Sequence, residues 1–358
     1  LSLKYRQIPQ IWTDYSLPFF EVDKNKRKAI DFPKKRLDHF LDFLRNMIPE
    51  TLPTIFFEGY SSLVECSQKT SWPLDPKIIF TSNAFYFDEV FKTWVARKSS
   101  LGVLYYIGQH GNNYGTKIGN ANSIELLTCD KFFTWGWQYN HKKHIKGFNF
   151  KISHKQNQLN IPSTGILLIE LHPLHRIGPF DDHGIFKKYL SNQFSFVNHL
   201  PENIRSKLTV RLHSASKYFQ WKEDVLWKAR FKDIKIDTGG KDIFKLMFNS
   251  KLVVHSYDST GILETLCLNI PTLCFWDKEF DHIEENAKPF YIMLKDSNIY
   301  FNSPESLASH ISEIWDNLDS WWYSEKVQNA RLSFVDQFSR KSNNCADDIY
   351  NLINLTIK

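Results

Sequence analysis

Residues 252–275 read LVVHSYDSTGILETLCLNIPTLCF. An apolar run of strand length, 252–256, ends in a turn rich in hydroxyls. A helical stretch follows over 259–268, and a second apolar run over 272–275. A strand, a helix and a strand in close succession make a parallel pair joined by a right-handed crossover. The same alternation extends outward in both directions. Strands are expected at 77–81, 103–107, 132–135, 165–171 and 208–212, and helices at 85–98, 123–129, 184–196, 217–229 and 242–248. Helix 85–98 sets Phe87, Val90, Phe91 and Trp94 on one face, and a helix over 34–47 sets Leu37, Phe40, Leu41 and Leu44 inward. Ser303-Pro304-Glu305 is a good helix start, and from there the tail reads as helical.

The basic, polar run HKKHIKGFNFKISHKQNQLN at 141–160 interrupts the pattern and marks the expected boundary, within 140–163, with a tethered loop as the alternative. The expected architecture is α/β: two Rossmann-like domains with a central cleft, residues 1–150 and 151–335, closed by C-terminal helices with a tail at 336–358. In such folds ligands sit at the carboxyl ends of the strands.

Composition agrees with a folded chain of about two domains. Of 358 residues 42% are hydrophobic and 15% aromatic, which excludes an intrinsically disordered protein. The net charge of +6 is mild and its basic residues are dispersed, so nucleic acid is not an expected partner; an anionic ligand or membrane surface is compatible. No apolar stretch approaches the ~20 residues of a membrane span. The first ten residues lack a signal-peptide core, and the absence of an initial Met suggests a trimmed N-terminus. Five scattered cysteines without a C-x-x-C pair support neither a disulfide framework nor a zinc site, and point to a reducing compartment.

Two segments carry the chemistry. In Ile107-Gly108-Gln109-His110-Gly111-Asn112-Asn113-Tyr114-Gly115-Thr116-Lys117 a glycine-rich loop leaves a strand directly. It places Gln109 and His110 at the strand's carboxyl end, where His110 can serve as acid, base or hydrogen-bond donor. The plain alternative is a surface turn whose histidine only satisfies the backbone. No P-loop ending is present. The second segment is the turn 255–264. A helix beginning at Ser259 or Thr260 presents free N–H groups and a positive dipole end, suited to a phosphate. Capping by Asp258 or Ser259 would explain one or two of these residues, but not His255, Ser256, Ser259 and Thr260 together. Glu264, one turn on, can accept from ribose hydroxyls. Weaker candidates are Thr81-Ser82-Asn83 with Asp88 and Glu89, Glu125 beyond the first loop, and Arg211 with His213 at another strand end. His172, His175, Arg176, Asp181, Asp182 and His183 cluster after a strand, but their spacing fits no metal pattern and a substrate-facing loop is preferred. Trp135-Gly136-Trp137 reads as packing.

Several of these segments together resemble a family of bacterial surface-polysaccharide transferases typified by a Leptospira protein from an O-antigen region. The likeness runs over roughly 77–340. It is carried by Ile79-Phe80-Thr81-Ser82-Asn83, Asp88-Glu89-Val90-Phe91-Lys92, Gly108-Gln109-His110-Gly111 with Tyr114-Gly115, and Phe133-Thr134-Trp135-Gly136-Trp137. It continues through Leu208-Thr209-Val210-Arg211-Leu212, the 253–268 segment, Asn269-Ile270-Pro271-Thr272, Phe275-Trp276-Asp277, Ile314-Trp315-Asp316 and Trp321-Trp322. Residues 171–183 depart from the pattern, so no role is carried to His172 or Asp181.

The resemblance implies a GT-B-like glycosyltransferase, without a bound metal or other cofactor, that uses a nucleotide-activated sugar. The layout is similar to β-Kdo transferases and to polymerases that use CDP-glycerol. That makes a CMP-linked acidic sugar such as Kdo the leading donor and a glycan or lipid-linked glycan the acceptor. The work of such an enzyme is lipopolysaccharide O-antigen or capsule synthesis in the cytoplasm, with peripheral association at the inner face of the membrane. Donor binding would fall to Arg211, His255, Ser256, Asp258, Ser259, Thr260 and Glu264. Substrate binding would fall to Gln109, Asn113, Tyr114 and Lys117, and catalysis to His110, Glu125 and Asp88. The rival readings are a CDP-polyol phosphotransferase and a non-catalytic nucleotide- or glycan-binding protein.

Overall fold

The structure, a computed structural model, describes residues 16–30, 38–119, 123–152, 155, 164–171, 186–216 and 222–357. Its strands are β1 (Ile78–Thr81), β2 (Leu104–Gly108), β3 (Lys131–Thr134), β4 (His144–Lys146), β5 (Ile166–Ile169), β6 (Leu208–Arg211), β7 (Lys235–Asp237), β8 (Leu252–His255), β9 (Thr272–Phe275) and β10 (Tyr300–Phe301). They form two parallel sheets, one of four strands in the order β1-β2-β3-β4 and one of six in the order β10-β9-β8-β5-β6-β7. This is the expected α/β class. Residue contacts divide the chain into two units, Leu1–Gly108 with Cys129–Lys131, and Gln109–Thr128 with Phe132–Lys358. The boundary expected within 140–163 falls partly on residues outside the described ones.

In the first unit β1 and β2 run parallel, Ile79 opposite Tyr105, with helix Glu89–Ser100 as the crossover between them. The expected single helix over 85–98 is divided. Asp88 is extended and caps the second helix by accepting from the Phe91 N–H at 2.7 Å, so Phe87 falls outside the buried face and is 82% exposed. Val90, Phe91 and Trp94 are buried as the spacing requires. The helix expected at 34–47 spans His39–Thr51, and its residues Phe40, Leu41 and Leu44 are exposed, against the inward placement expected. An amphipathic repeat fixes a helical period, not what covers its apolar face. Arg27 is the polar anchor of this unit. Its guanidinium pairs with both oxygens of Glu58 at 2.7 Å and donates to the Pro49 and Leu52 carbonyls.

In the second unit β5 is the first strand of a doubly wound sheet. β6 and β7 extend it on one side, and β8, β9 and β10 on the other, with neighbouring strands parallel. Strands buried on both faces need no polar alternation, which is why 252–255 and 272–275 read as continuous apolar runs. Successive side chains enter opposite layers. Leu168, Val210, Val254 and Leu273 join one core with Phe196, Trp227, Leu307 and Ile311; Leu167 and Val253 join another with Met247, Leu268 and Ile270. The C-terminal segments close this unit. Arg331 on helix Glu325–Phe338 donates to the Leu266 carbonyl at 2.9 Å, and the Arg340 N–H to the Trp135 carbonyl at 2.7 Å. Ser303 caps helix Pro304–Ile314 as its sequence implies. Three short strands, β4, β7 and β10, were not expected from the sequence.

The loop after β2 rests on Trp137. Gly115 has φ +72°, and a Cβ there would lie 2.4 Å from the buried Trp137 ring. Gly115→Ala combines a left-handed backbone with overpacking, so it should destabilise this unit by roughly 2 kcal/mol or more, read as a lower thermal midpoint.

Candidate functional site

The strand order of the second unit reverses between β5 and β8, because the chain leaves β5 towards β6 and later returns to build β8 on the other side. The carboxyl ends of such strands frame a crevice. A cleft of about 480 Å³ lies there, lined by Glu170 after β5, by Arg211 and His213 at the end of β6, by Tyr257–Gly261 and Glu264 after β8, and by Asn112, Asn113, Lys117 and Lys151. Five expected donor residues, Arg211, Asp258, Ser259, Thr260 and Glu264, therefore share one cleft with Asn113 and Lys117 of the expected substrate set.

The turn after β8 is built from its own side chains. Ser259 holds the N-cap position of helix Thr260–Cys267 without a side-chain cap bond, because its hydroxyl pairs instead with His255 Nδ1 at 3.2 Å. His255 Nε2 meets the Thr265 hydroxyl at 3.2 Å, and its imidazole lies 2.6 Å from where a Gly261 Cβ would stand. The ring is wholly buried, and burial pushes its pKa down to about 3, so it is neutral. The ring thus lies beneath the helix start and is not among the side chains that line the cleft. Ser256 is similarly engaged: its hydroxyl donates to the Ile169 carbonyl at 2.9 Å and pairs with Tyr189 Oη at 2.5 Å, tying β8 to β5.

The loop after β2 is fastened to this turn through Asn112. Its Nδ2 donates to Asp258 Oδ1 at 2.8 Å, its backbone N–H to Thr260 Oγ1 at 2.9 Å, and its Oδ1 accepts from the Thr116 hydroxyl at 2.9 Å. Asp258 also accepts from Tyr291 Oη at 3.1 Å and pairs with His282 Nε2 at 3.2 Å, with Lys117 Nζ at 4.0 Å. Burial alone would raise the Asp258 carboxyl. Lys117, His282 and the Asn112 bond outweigh it and hold the pKa below the ordinary carboxylate value. Glu264, buried, pairs with Lys151 at 2.5 Å.

Gln109 is consumed by structure. Its Oε1 accepts from the Trp135 N–H and from Trp137 Nε1, and its Nε2 donates to the Gly111 carbonyl, so it shapes the loop's exit from β2. Trp135 and Trp137 are buried, as a packing role requires. One residue on, His110 Nδ1 lies 3.2 Å from Tyr114 Oη, which donates to buried Glu125 Oε1 at 2.5 Å. The two side chains expected to handle a proton are thereby joined through a phenol. Arg211 lines the cleft but is held by Asp237 Oδ2 and the Lys241 carbonyl, both at 2.9 Å. Asp88 belongs to the first unit and serves as the helix cap described above. His172, His175, Arg176, Asp181, Asp182 and His183 lie outside the described residues.

Sequence reasoning did not single out Asn112, His282, Tyr291, Lys151 or Glu170. Asn112 stood within the quoted loop, whereas His282 and Tyr291 follow no strand end and carry no local signal. Among the described residues no group of three or more His, Cys, Asp and Glu could hold a metal ion, and no helix is long and apolar enough to cross a membrane.

No curated protein matches the chain. Solved structures similar to it include TarM, at 14% identity over 82% of this chain with a TM-score of 0.47. The chain spans 58% of TarM's length. The wall teichoic acid polymerase TagF matches at 13% identity over 90% of this chain and 98% of its own, TM-score 0.42. MurG of Acinetobacter baumannii matches at 12% identity over 83% and 76%, TM-score 0.43. In sequence, one family model takes in residues 1–353, nearly the whole chain. By that match the protein belongs to the LIC12162 family of transferases.

Proposed function

We propose that this transferase is a GT-B-like glycosyltransferase that moves a sugar from a nucleotide-activated donor to a glycan acceptor. The observation that supports it best is the cleft at the reversal of the six-stranded sheet, with a helix start on its wall. The first N–H groups of helix Thr260–Cys267 offer donors for the donor's phosphate, and Lys117 and Lys151 add positive charge at the rim. As the bond between the anomeric carbon and the phosphate oxygen breaks, these groups stabilise the charge that collects on the leaving phosphate. His110 takes the proton of the acceptor hydroxyl as its oxygen attacks the anomeric carbon. Tyr114 and Glu125 orient the imidazole.

Within this reading the leading donor is a CMP-linked acidic sugar such as Kdo, and the setting is surface-polysaccharide synthesis at the inner face of the membrane. Glu264 faces the ribose. The roles of His255, Ser256 and Gln109 are to position the loops that carry the contacts. The test is a thermal-shift screen of the protein against CMP, CDP, UDP and GDP and their sugars. A binding nucleotide at 100 times its Kd should stabilise the fold by about 2.7 kcal/mol. If none raises the midpoint, the reading loses its basis. A phosphodiester rather than a glycosidic product would mark the CDP-polyol phosphotransferase instead.

A further inference from the structure

Glu170 immediately follows β5, at the point where the sheet order reverses, and it lines the cleft. It is 2% exposed, and its N–H donates to the Arg211 carbonyl at 3.1 Å. One carboxyl oxygen, Oε2, accepts from Trp227 Nε1 at 2.9 Å; the other, Oε1, is buried with no hydrogen-bond partner among the described residues. A buried polar atom without a partner is costly and rarely kept without use. The groups around it do not supply a counter-charge. Glu223 adds a second buried carboxyl, Tyr189 is a phenol that burial and Glu170 both keep protonated, and the Arg211 guanidinium is taken by Asp237. His213, at the end of β6, is held towards its neutral form by burial and by Arg211. Burial accordingly pushes the Glu170 carboxyl up to about 8, against the Trp227 bond, and it carries its proton at neutral pH.

Since the Trp227 N–H occupies Oε2, the proton resides on Oε1, which makes an O–H donor. A neutral donor suits a neutral acceptor, whereas the anionic part of a ligand is served by the helix start and the lysines. Ile169, Leu171, Leu212, Ile243 and Met247 line the same cleft and give it apolar walls. Apolar walls with a few placed polar groups suit a flat heterocycle. We propose that Glu170 is a specificity-determining residue that recognises the donor's nucleobase, donating from Oε1 to a carbonyl oxygen or ring nitrogen. This rests on the nucleotide-dependent reading above and names the group that selects the base.

Calorimetric titration of CMP, UMP and ribose 5-phosphate into the protein and into Glu170→Gln, at pH 7 and pH 9, tests it. The native protein should bind its preferred base about tenfold more weakly at pH 9 than at pH 7, because ionised Glu170 no longer donates. Glu170→Gln keeps an N–H donor at both values and should change by less than about twofold. Ribose 5-phosphate, which has no base, should bind both proteins alike, and its own ionisation cancels between them. Trp227→Phe, which leaves Glu170 in place but releases Oε2, should weaken the base and spare ribose 5-phosphate. Equal pH dependence in the native protein and Glu170→Gln would overturn the inference, as would a loss of ribose 5-phosphate affinity as large as that of CMP. Absence of nucleotide binding at either pH would instead bring down the reading beneath it.

Discussion

His110→Ala is expected to lower the rate of transfer by about 10²–10⁴-fold, the range of a positioned general base. Affinity for the donor nucleotide should stay within about twofold, because in the proposed reading the phosphate meets the turn after β8 rather than this side chain. The reason lies in the chain of hydrogen bonds from His110 Nδ1 to Tyr114 Oη and on to Glu125 Oε1. An imidazole held through a phenol by a buried carboxyl has its orientation fixed for taking a proton. Tyr114→Phe breaks the chain while sparing His110, and Glu125→Gln replaces the carboxyl behind it; each should produce a smaller loss, in kcat more than in KM. Steady-state kinetics with separated kcat and KM decide it. Unchanged turnover in both His110→Ala and Glu125→Gln would remove the proposed mechanism.

Asp258→Ala carries the largest expected effect on stability, about 3–5 kcal/mol, typical of breaking one partner out of a buried charged network. The substitution strips the acceptor from Asn112 Nδ2, Tyr291 Oη and His282 Nε2 at once, and leaves Lys117 without its carboxylate. Asp258→Asn retains one acceptor oxygen and should cost less, about 1–3 kcal/mol. The pH dependence has a definite sign. A carboxyl held below its unfolded value contributes fully above the unfolded pKa near ~4, and the contribution is lost as pH falls through the folded value. Thermal melts from pH 7 downward should therefore show the native protein losing its advantage over Asp258→Asn in acid. A melt of Asp258→Ala within a degree of the native one at pH 7 would show that the network does not hold the turn.

Much of the second sheet was legible because its strands are buried on both faces and declare themselves as apolar runs, as Leu252–His255 and Thr272–Phe275 do. β7 and β10, of three and two residues, are too short to carry a pattern, and β4 lies in the basic run that resembles a linker. The division of the helix near Asp88 escaped because a capping aspartate does not interrupt an apolar period when an aromatic stands before it. At the site, the helix start at Thr260 followed from residue type and placement, and so did the choice of His110 and Glu125 as candidates, but not the phenol of Tyr114 that joins them. What could not be read were partners brought in from afar. Tyr291 and His282 reach Asp258 across 33 and 24 residues, and Trp227 reaches Glu170 across 57. The burial that neutralises His255 is likewise a property of packing around it, and no local spacing announces it.

The bonds from Asn112 to Asp258 and Thr260 close 146 and 148 residues of chain. Closing so long a loop costs little more than closing one half as long. Contacts this distant nevertheless form only once the intervening strands have found their neighbours, because non-local pairing comes slowly. The loop bearing His110 is therefore fastened late in assembly, after the sheet that would hold the nucleotide. Asn112, Asn113 and Lys117 of that same loop line the cleft, so a newly made copy completes the wall of its cleft and sets the proposed base in place in one late step.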